Sequence, residues 1–166
     1  MEDDKQLDKA TALDRIVHYE TYISSMNNEQ LIALVDHLED FDEVATALTE
    51  LSIRDKEQAN PFCSKILEKN LGDEFLQAVA FNLLYEGDRE KAVEIVSETG
   101  FRTPAAVLGA IMDNLSTDSL QPFGQSLSSE LLQSIADRYL AMSDADKNRI
   151  LEQYEWFHES YRDRLL

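Results

Sequence analysis

Carboxylates are the reactive groups this sequence holds in quantity. Asp36, Glu39, Asp40, Asp42 and Glu43 place five acids within eight residues, and Glu90, Glu94 and Glu98 follow one another at a spacing of four. Carboxylates can move protons, bind metals or attract cations. Proton transfer needs a pair whose surroundings push the two pKa values apart. With 33 Asp and Glu in 166 residues, close pairs arise by chance and none stands out. A calcium loop needs spaced oxygen ligands around a central glycine, and Asp144 with Asp146 has neither the other ligands nor the glycine. His18, His37 and His158 lack a second ligand at zinc-binding spacing. Cys63 has no partner for an internal disulfide and lies in an apolar helical pattern, which predicts a small core residue. No Gly-rich phosphate loop and no Gly-Lys-Ser/Thr motif occurs. The reading is a non-enzyme with no cofactor and no metal, which leaves attraction of cations.

The charge balance points the same way. Fifteen Lys and Arg against 33 Asp and Glu give a net charge of −18. Nucleic-acid binding needs clustered Lys and Arg on phosphates, and an anionic membrane repels such a chain. A basic protein partner gains from steered encounter and complementary contact. Spread over a folded surface of about 8,300 Å², this charge puts roughly two net negatives on an ~800 Å² face, so a binding face must be denser.

Eight residues are candidates for contacting that partner: Asp36, Glu39, Asp40, Asp42, Glu43, Glu90, Glu94 and Trp156. Asp42 and Glu43 suit the start of a helix predicted from Glu43. Asp36, Glu39 and Asp40 sit near the end of the preceding one, where the dipole disfavours negative charge. Tolerating that cost points to use; the alternative is a solvated turn. The Glu90, Glu94 and Glu98 stripe costs a helix roughly 0.2–0.5 kcal/mol per like pair, with Lys91 offsetting part of it through Glu94. On second helices of a repeat, these acids could share one surface with Glu43 and Glu50. Trp156 lies off the apolar stripe of the last helix (Ile150, Leu151, Tyr154, Phe157, Tyr161, Leu165) and among polar residues. A tryptophan there is either an interface anchor or a cover for the N-terminal helix or the 116–127 loop.

The elements that must position these residues are helices. The 43% hydrophobic content supports a folded chain, and five Gly and three Pro are few for an all-β architecture. Residues 1–10 read as a flexible polar segment and 11–166 as a single helical domain, with an internal loop over 116–127. Nine helices are predicted, over 11–26, 29–38, 43–53, 61–71, 73–85, 89–98, 104–115, 128–142 and from 143 onward. Their start signals include Thr11, Asn60-Pro61, Asp73, Asp88, Thr103-Pro104, Ser128 or Ser129, and Ser143. No apolar run approaches the ~20 residues of a membrane span. The charged start Met1-Glu2-Asp3-Asp4-Lys5 lacks a signal-peptide core, so the expectation is a cytoplasmic protein.

A shift of 47 residues lays Leu31-Ile32-Ala33-Leu34 on Ala78-Val79-Ala80-Phe81, and Ala45, Leu48 and Thr49 on Ala92, Ile95 and Val96. Both units read helix, Asp-containing turn, helix. The segment Asp73 to Glu98, with its Gly87-Asp88 turn and Arg89-Glu90-Lys91-Ala92-Val93 start, resembles a HEAT-type helical pair. That resemblance, over residues 28–115, implies an all-α fold of antiparallel helical hairpins stacked as a short irregular α-solenoid. The alternative is an irregular helical bundle. By overall profile (small, acidic, cysteine-poor) the chain resembles bacterial immunity proteins that neutralise basic nuclease toxins. That profile implies inhibition by occlusion of a toxin nuclease domain, although no family motif is matched. The competing reading is an adaptor or scaffold subunit that grips a peptide or helix in a groove.

Overall fold

The structure, a computed structural model, describes residues 22–166. Among the described residues there are ten α-helices and no strand. After a helical stretch at 22–24 come α1 (Asn28–His37), α2 (Phe41–Arg54), α3 (Lys56–Lys69), α4 (Glu74–Gly87) and α5 (Arg89–Glu98). Then follow α6 (Ala105–Thr117), α7 (Pro122–Ser126), α8 (Ser129–Leu140), α9 (Asp144–Arg149) and α10 (Leu151–Ser160). The helix predicted over 11–26, its Thr11 start and the segment 1–10 lie outside the described residues, apart from the helical end at 22–24.

Short polar side chains begin most of these helices. Asn27, Asp40, Asp55, Asp73, Asp88, Ser128 and Ser143 each accept a backbone N–H of the first turn. Each such cap stabilises its helix by about 1 kcal/mol. Asp73, Asp88, Ser128 and Ser143 stand where the sequence places them.

The helices pack in two layers. α2, α4, α6 and α10 lie side by side, each against the next. α3 and α5 pack together behind them, and Lys65 of α3 reaches Asp36 of α1 at 2.7 Å. α8 packs on both α6 and α10. The buried stripe repeats with this layering. Ala47, Leu48, Leu51 and Ser52 in α2 correspond to Ala80, Phe81, Leu84 and Tyr85 in α4, and to Ile111, Met112, Leu115 and Ser116 in α6, all buried. The caps Asp40 and Asp73 are 33 residues apart, as are Asp55 and Asp88. Ala59 and Ala92, in the same register, are both 0% exposed, because only a methyl fits where the layers approach closely. The structural repeat is therefore 33 residues, shortening to 31 into α6. The 47-residue shift lays α1 on α4, helices of opposite layers, and is not a repeat of the fold.

Four local expectations are corrected. α3 begins at Lys56 on Asp55, not at Pro61. Its first turns are needed to bury Ala59, and Pro61 forfeits only the bond that would reach the carbonyl of exposed Glu57. α6 begins at Ala105 without a side-chain cap, since the Thr103 hydroxyl turns back to the Phe101 carbonyl at 3.4 Å. The segment 116–127 is not a loop throughout. α6 runs to Thr117 and α7 follows. Buried Asp118 takes the Tyr85 hydroxyl at 2.8 Å and meets the Arg89 guanidinium at 3.1 Å. Phe123 packs edge-on to Tyr85 at 5.9 Å. Finally, the long terminal helix is broken at Ile150, whose φ of −125° closes α9 before α10 begins. The break seats Ile150 against Gly109. It also lets α10 turn Phe157 into the core and stack Tyr154 on Tyr139 at 3.8 Å.

Cys63 is buried, as its pattern predicts, and burial pushes its thiol up to about 12. The thiolate is the reactive form. The native protein should therefore resist a thiol-reactive dye at pH 8, while the denatured chain takes up one equivalent. Fast labelling of the native state would place Cys63 at the surface.

Candidate functional site

The two layers differ in charge. α2, α4, α6 and α10 carry Asp42, Glu43, Glu50, Glu74, Glu86, Asp113, Glu152, Glu155 and Glu159 against one arginine, Arg54. That arginine is occupied. It binds the Glu50 carboxylate at 2.7 Å and donates to the carbonyls of Met26 at 2.6 Å and Ser24 at 2.8 Å. In α1, α3 and α5, seven acids face five bases, Lys56, Lys65, Lys69, Arg89 and Lys91. Interspersed opposite charges cancel at short range. Some acids of the first layer are matched from neighbouring elements, Glu74 by Arg149, Glu86 by Lys56 at 4.0 Å and Glu159 by Arg162 at 3.3 Å; the remaining excess keeps a field that attracts approaching cations.

Two grooves run between neighbouring helices of the acidic layer. The first, about 560 Å³, is lined by Ile23, Ser24, Ala45, Thr46, Thr49, Glu50, Phe75 and Val79. Its lining mixes small polar and apolar residues with Glu50, and Phe75 stays 55% exposed. The second, also about 560 Å³, lies between α4, α6 and the α9–α10 junction. Ala78, Ala106, Gly109 and Ala110 line it together with Asn82, Glu86, Asp113, Asn114 and Gln153. At one end Arg149 pairs with Glu74 and, at 3.5 Å, with Asp146. The second groove exists because α4 and α6 turn large residues to the opposite layer and the small Ala78, Ala106, Gly109 and Ala110 outward.

Asp113 is half-buried in the second groove. Burial raises its carboxyl above the usual range, and a hydrogen bond from Gln153 opposes the rise. A folded-state pKa above the unfolded value means that the folded chain holds this proton more tightly. The stabilisation is complete at low pH and is lost as pH rises through the folded pKa. Asp113→Asn should accordingly raise the melting temperature by about 1–2 °C at pH 7 and leave it unchanged in acid. Melts of both proteins across pH 3–7 measure this, and a destabilised variant at pH 7 contradicts it.

The sequence candidates divide between the layers. Asp42 and Glu43 lie on α2, in the acidic layer. Glu39, Asp40 and Glu43 border a small depression of about 260 Å³ with Leu34, His37 and Val44. Asp40 does not sit at an unfavourable helix end. It is the cap of α2, accepting from the N–H groups of Asp42 and Glu43 at 3.1 and 3.2 Å. Asp36 is held by Lys65, whose hydrogen bond and charge keep its carboxyl below the usual range. Glu90 and Glu94 lie on α5, away from α2, so they do not share a surface with Glu43 and Glu50, and Glu94 pairs with Lys91 at 3.1 Å. Trp156 is 47% exposed. It stands one helical turn from Gln153, on the flank of α10 beside the second groove.

Glu86, Asp113 and Phe75 escaped the sequence reading. The signal that leads to them is the 33-residue spacing of the aspartate caps, which assigns α2, α4 and α6 to one layer. Among the described residues no group of three or more His, Cys, Asp or Glu side chains is arranged to hold a metal ion, and no helix is long and apolar enough to cross a membrane. The class that fold and site define is a two-layer stack of helical hairpins with one acidic, grooved face. No family model, curated protein or solved structure matches the chain.

Proposed function

We propose that this chain is a non-catalytic binding module for a basic protein, and that it serves as an immunity protein occluding the active site of a nuclease-type toxin. The observation that carries the reading is the excess of carboxylates on α2, α4, α6 and α10, nine acids against a single arginine of their own. A nuclease cleft is positive because its substrate is polyphosphate. Carboxylates on a packed helical face replace that substrate at little entropic cost and speed the encounter. The half-exposed Trp156 adds a large apolar contact at the edge of the face. The test captures the basic partner from the native host and measures its association at 50 and 500 mM salt, with nuclease activity as a second readout. Association should slow at least tenfold at high salt, and one equivalent of the protein should silence the nuclease. A rate indifferent to salt removes the electrostatic reading.

One observation favours a second reading, an adaptor gripping a helix or peptide. Phe75 and Val79 give the first groove an apolar side, and such a side takes the apolar stripe of an amphipathic helix. Binding that resists salt and is lost in Phe75→Ala would select it.

A further inference from the structure

We propose that the groove between α4, α6 and α10 binds an extended segment of the partner, its backbone held by Asn82 and Asn114 and one lysine or arginine side chain held by Asp113. The inference rests on the basic-partner reading above and deepens it.

Three features converge on this occupant. First, the Asn114 amide donates both its hydrogens, to Asn82 Oδ1 and to the Ala110 carbonyl, each at 2.8 Å. Asn114 Oδ1 is left without a donor and the Asn82 amide nitrogen without an acceptor among the described residues. A free acceptor beside a free N–H pair is the complement of one residue of an extended chain, whose own N–H and C=O point to the same side. Secondly, the lining residues Ala78, Ala106, Gly109 and Ala110 carry no atom beyond Cβ, so a main chain can approach closely. An extended strand suits this better than a helix, whose main-chain groups are already paired. Thirdly, Asp113 lies one residue from Asn114 and has no ion pair among the described residues. The hydrogen-bond partner of its carboxylate is neutral Gln153. Arg149, which also lines the groove, is committed to Glu74 and Asp146. A half-buried carboxylate without a counterion is complementary to a cation brought by the ligand.

The probe is a fluorescein-labelled peptide, Gly-Ser-Gly-Arg-Gly-Lys-Gly-Ser-Gly, titrated against the full chain by anisotropy and mapped by amide chemical shifts. Shifts should concentrate at residues 78–86 and 106–114. Asp113→Asn should weaken binding at least tenfold. Asn114→Ala should weaken it about threefold to tenfold. A peptide N-methylated along its backbone should bind the native chain equally weakly and lose nothing further in Asn114→Ala. Melting curves confirm that each variant is folded. Shifts centred on Asp36–Glu43, or unchanged affinity in Asp113→Asn, overturn the groove assignment. If the peptide fails to bind while the captured partner still associates in a salt-dependent way, the groove assignment alone falls. A partner indifferent to salt defeats the functional reading itself.

Discussion

Phe81→Ala should destabilise the protein by about 3–5 kcal/mol, while Phe75→Ala, six residues earlier on the same helix, should cost about 0.5 kcal/mol or less. Phe81 is 0% exposed and its ring lies 5.7 Å from that of Tyr85. It occupies α4, which packs against α2, α3, α5 and α6. Removing the ring empties the place where the two layers interlock, and neighbours held on four sides cannot collapse into the space. Phe75 faces the first groove, so its loss removes little buried area. For a chain of this length, the first change should lower the melting temperature by about 10 °C or more, with Phe75→Ala within about 2 °C of the native protein. Chemical denaturation of both variants measures the contrast. Equal losses would mean that α4 presents a different side to the core.

Neutralising Glu50, Glu86, Asp113 and Glu155 together, as Gln or Asn, should weaken binding to the basic partner about 100-fold, or about 2.8 kcal/mol. Neutralising Glu57, Glu68, Glu90 and Glu94 should change it less than about threefold. Both sets remove four charges, so the contrast cancels any effect of net charge. The first set lies on helices that carry nine acids and one arginine of their own; Glu50 is paired with that Arg54 and Glu86 lies 4.0 Å from Lys56, while Asp113 and Glu155 have no ion pair among the described residues. The second lies among lysines, with Glu94 already paired to Lys91. Neutralising Asp36, Glu39, Asp40, Asp42 and Glu43 should also weaken binding, with Asp36, which belongs to α1 and is paired with Lys65, contributing least. Asn at position 40 caps α2 as well as Asp does. Trp156→Ala should weaken binding more than it lowers the melting temperature, because nearly half of that side chain is open to solvent. Surface-immobilised partner and both variant sets suffice. Equal losses from the two layers would show that net charge alone attracts the partner.

Much of the secondary structure could be read from single turns. The stripes Leu31 and Val35, or Leu76, Ala80 and Leu84, mark helices by their spacing, and Asp73, Asp88, Ser128 and Ser143 mark starts. These signals act between residues three or four apart, so they survive without knowledge of the rest of the chain. Pro61 misled because a proline at a first turn looks the same, in sequence, as a proline one turn further in. The break at Ile150 has no local breaker residue; it sets Ile150 against Gly109, far away in the chain.

The candidate site was legible only in its chemistry. An excess of carboxylates, a buried thiol and an all-helical chain follow from residue types and short periodicities, and the sequence alone determines them. Which carboxylates stand together is a different matter. Glu43 and Glu90 look equivalent along the chain, yet α2 and α5 belong to opposite layers. Asp40 looks like a misplaced charge and is a cap. Asp113 looks like one acid among 33 and becomes an unpaired carboxylate in a groove. Tertiary structure made these choices, because the packing of large residues between layers decides which helix flanks are left outward, and electrostatic neighbours are set by that distance through space.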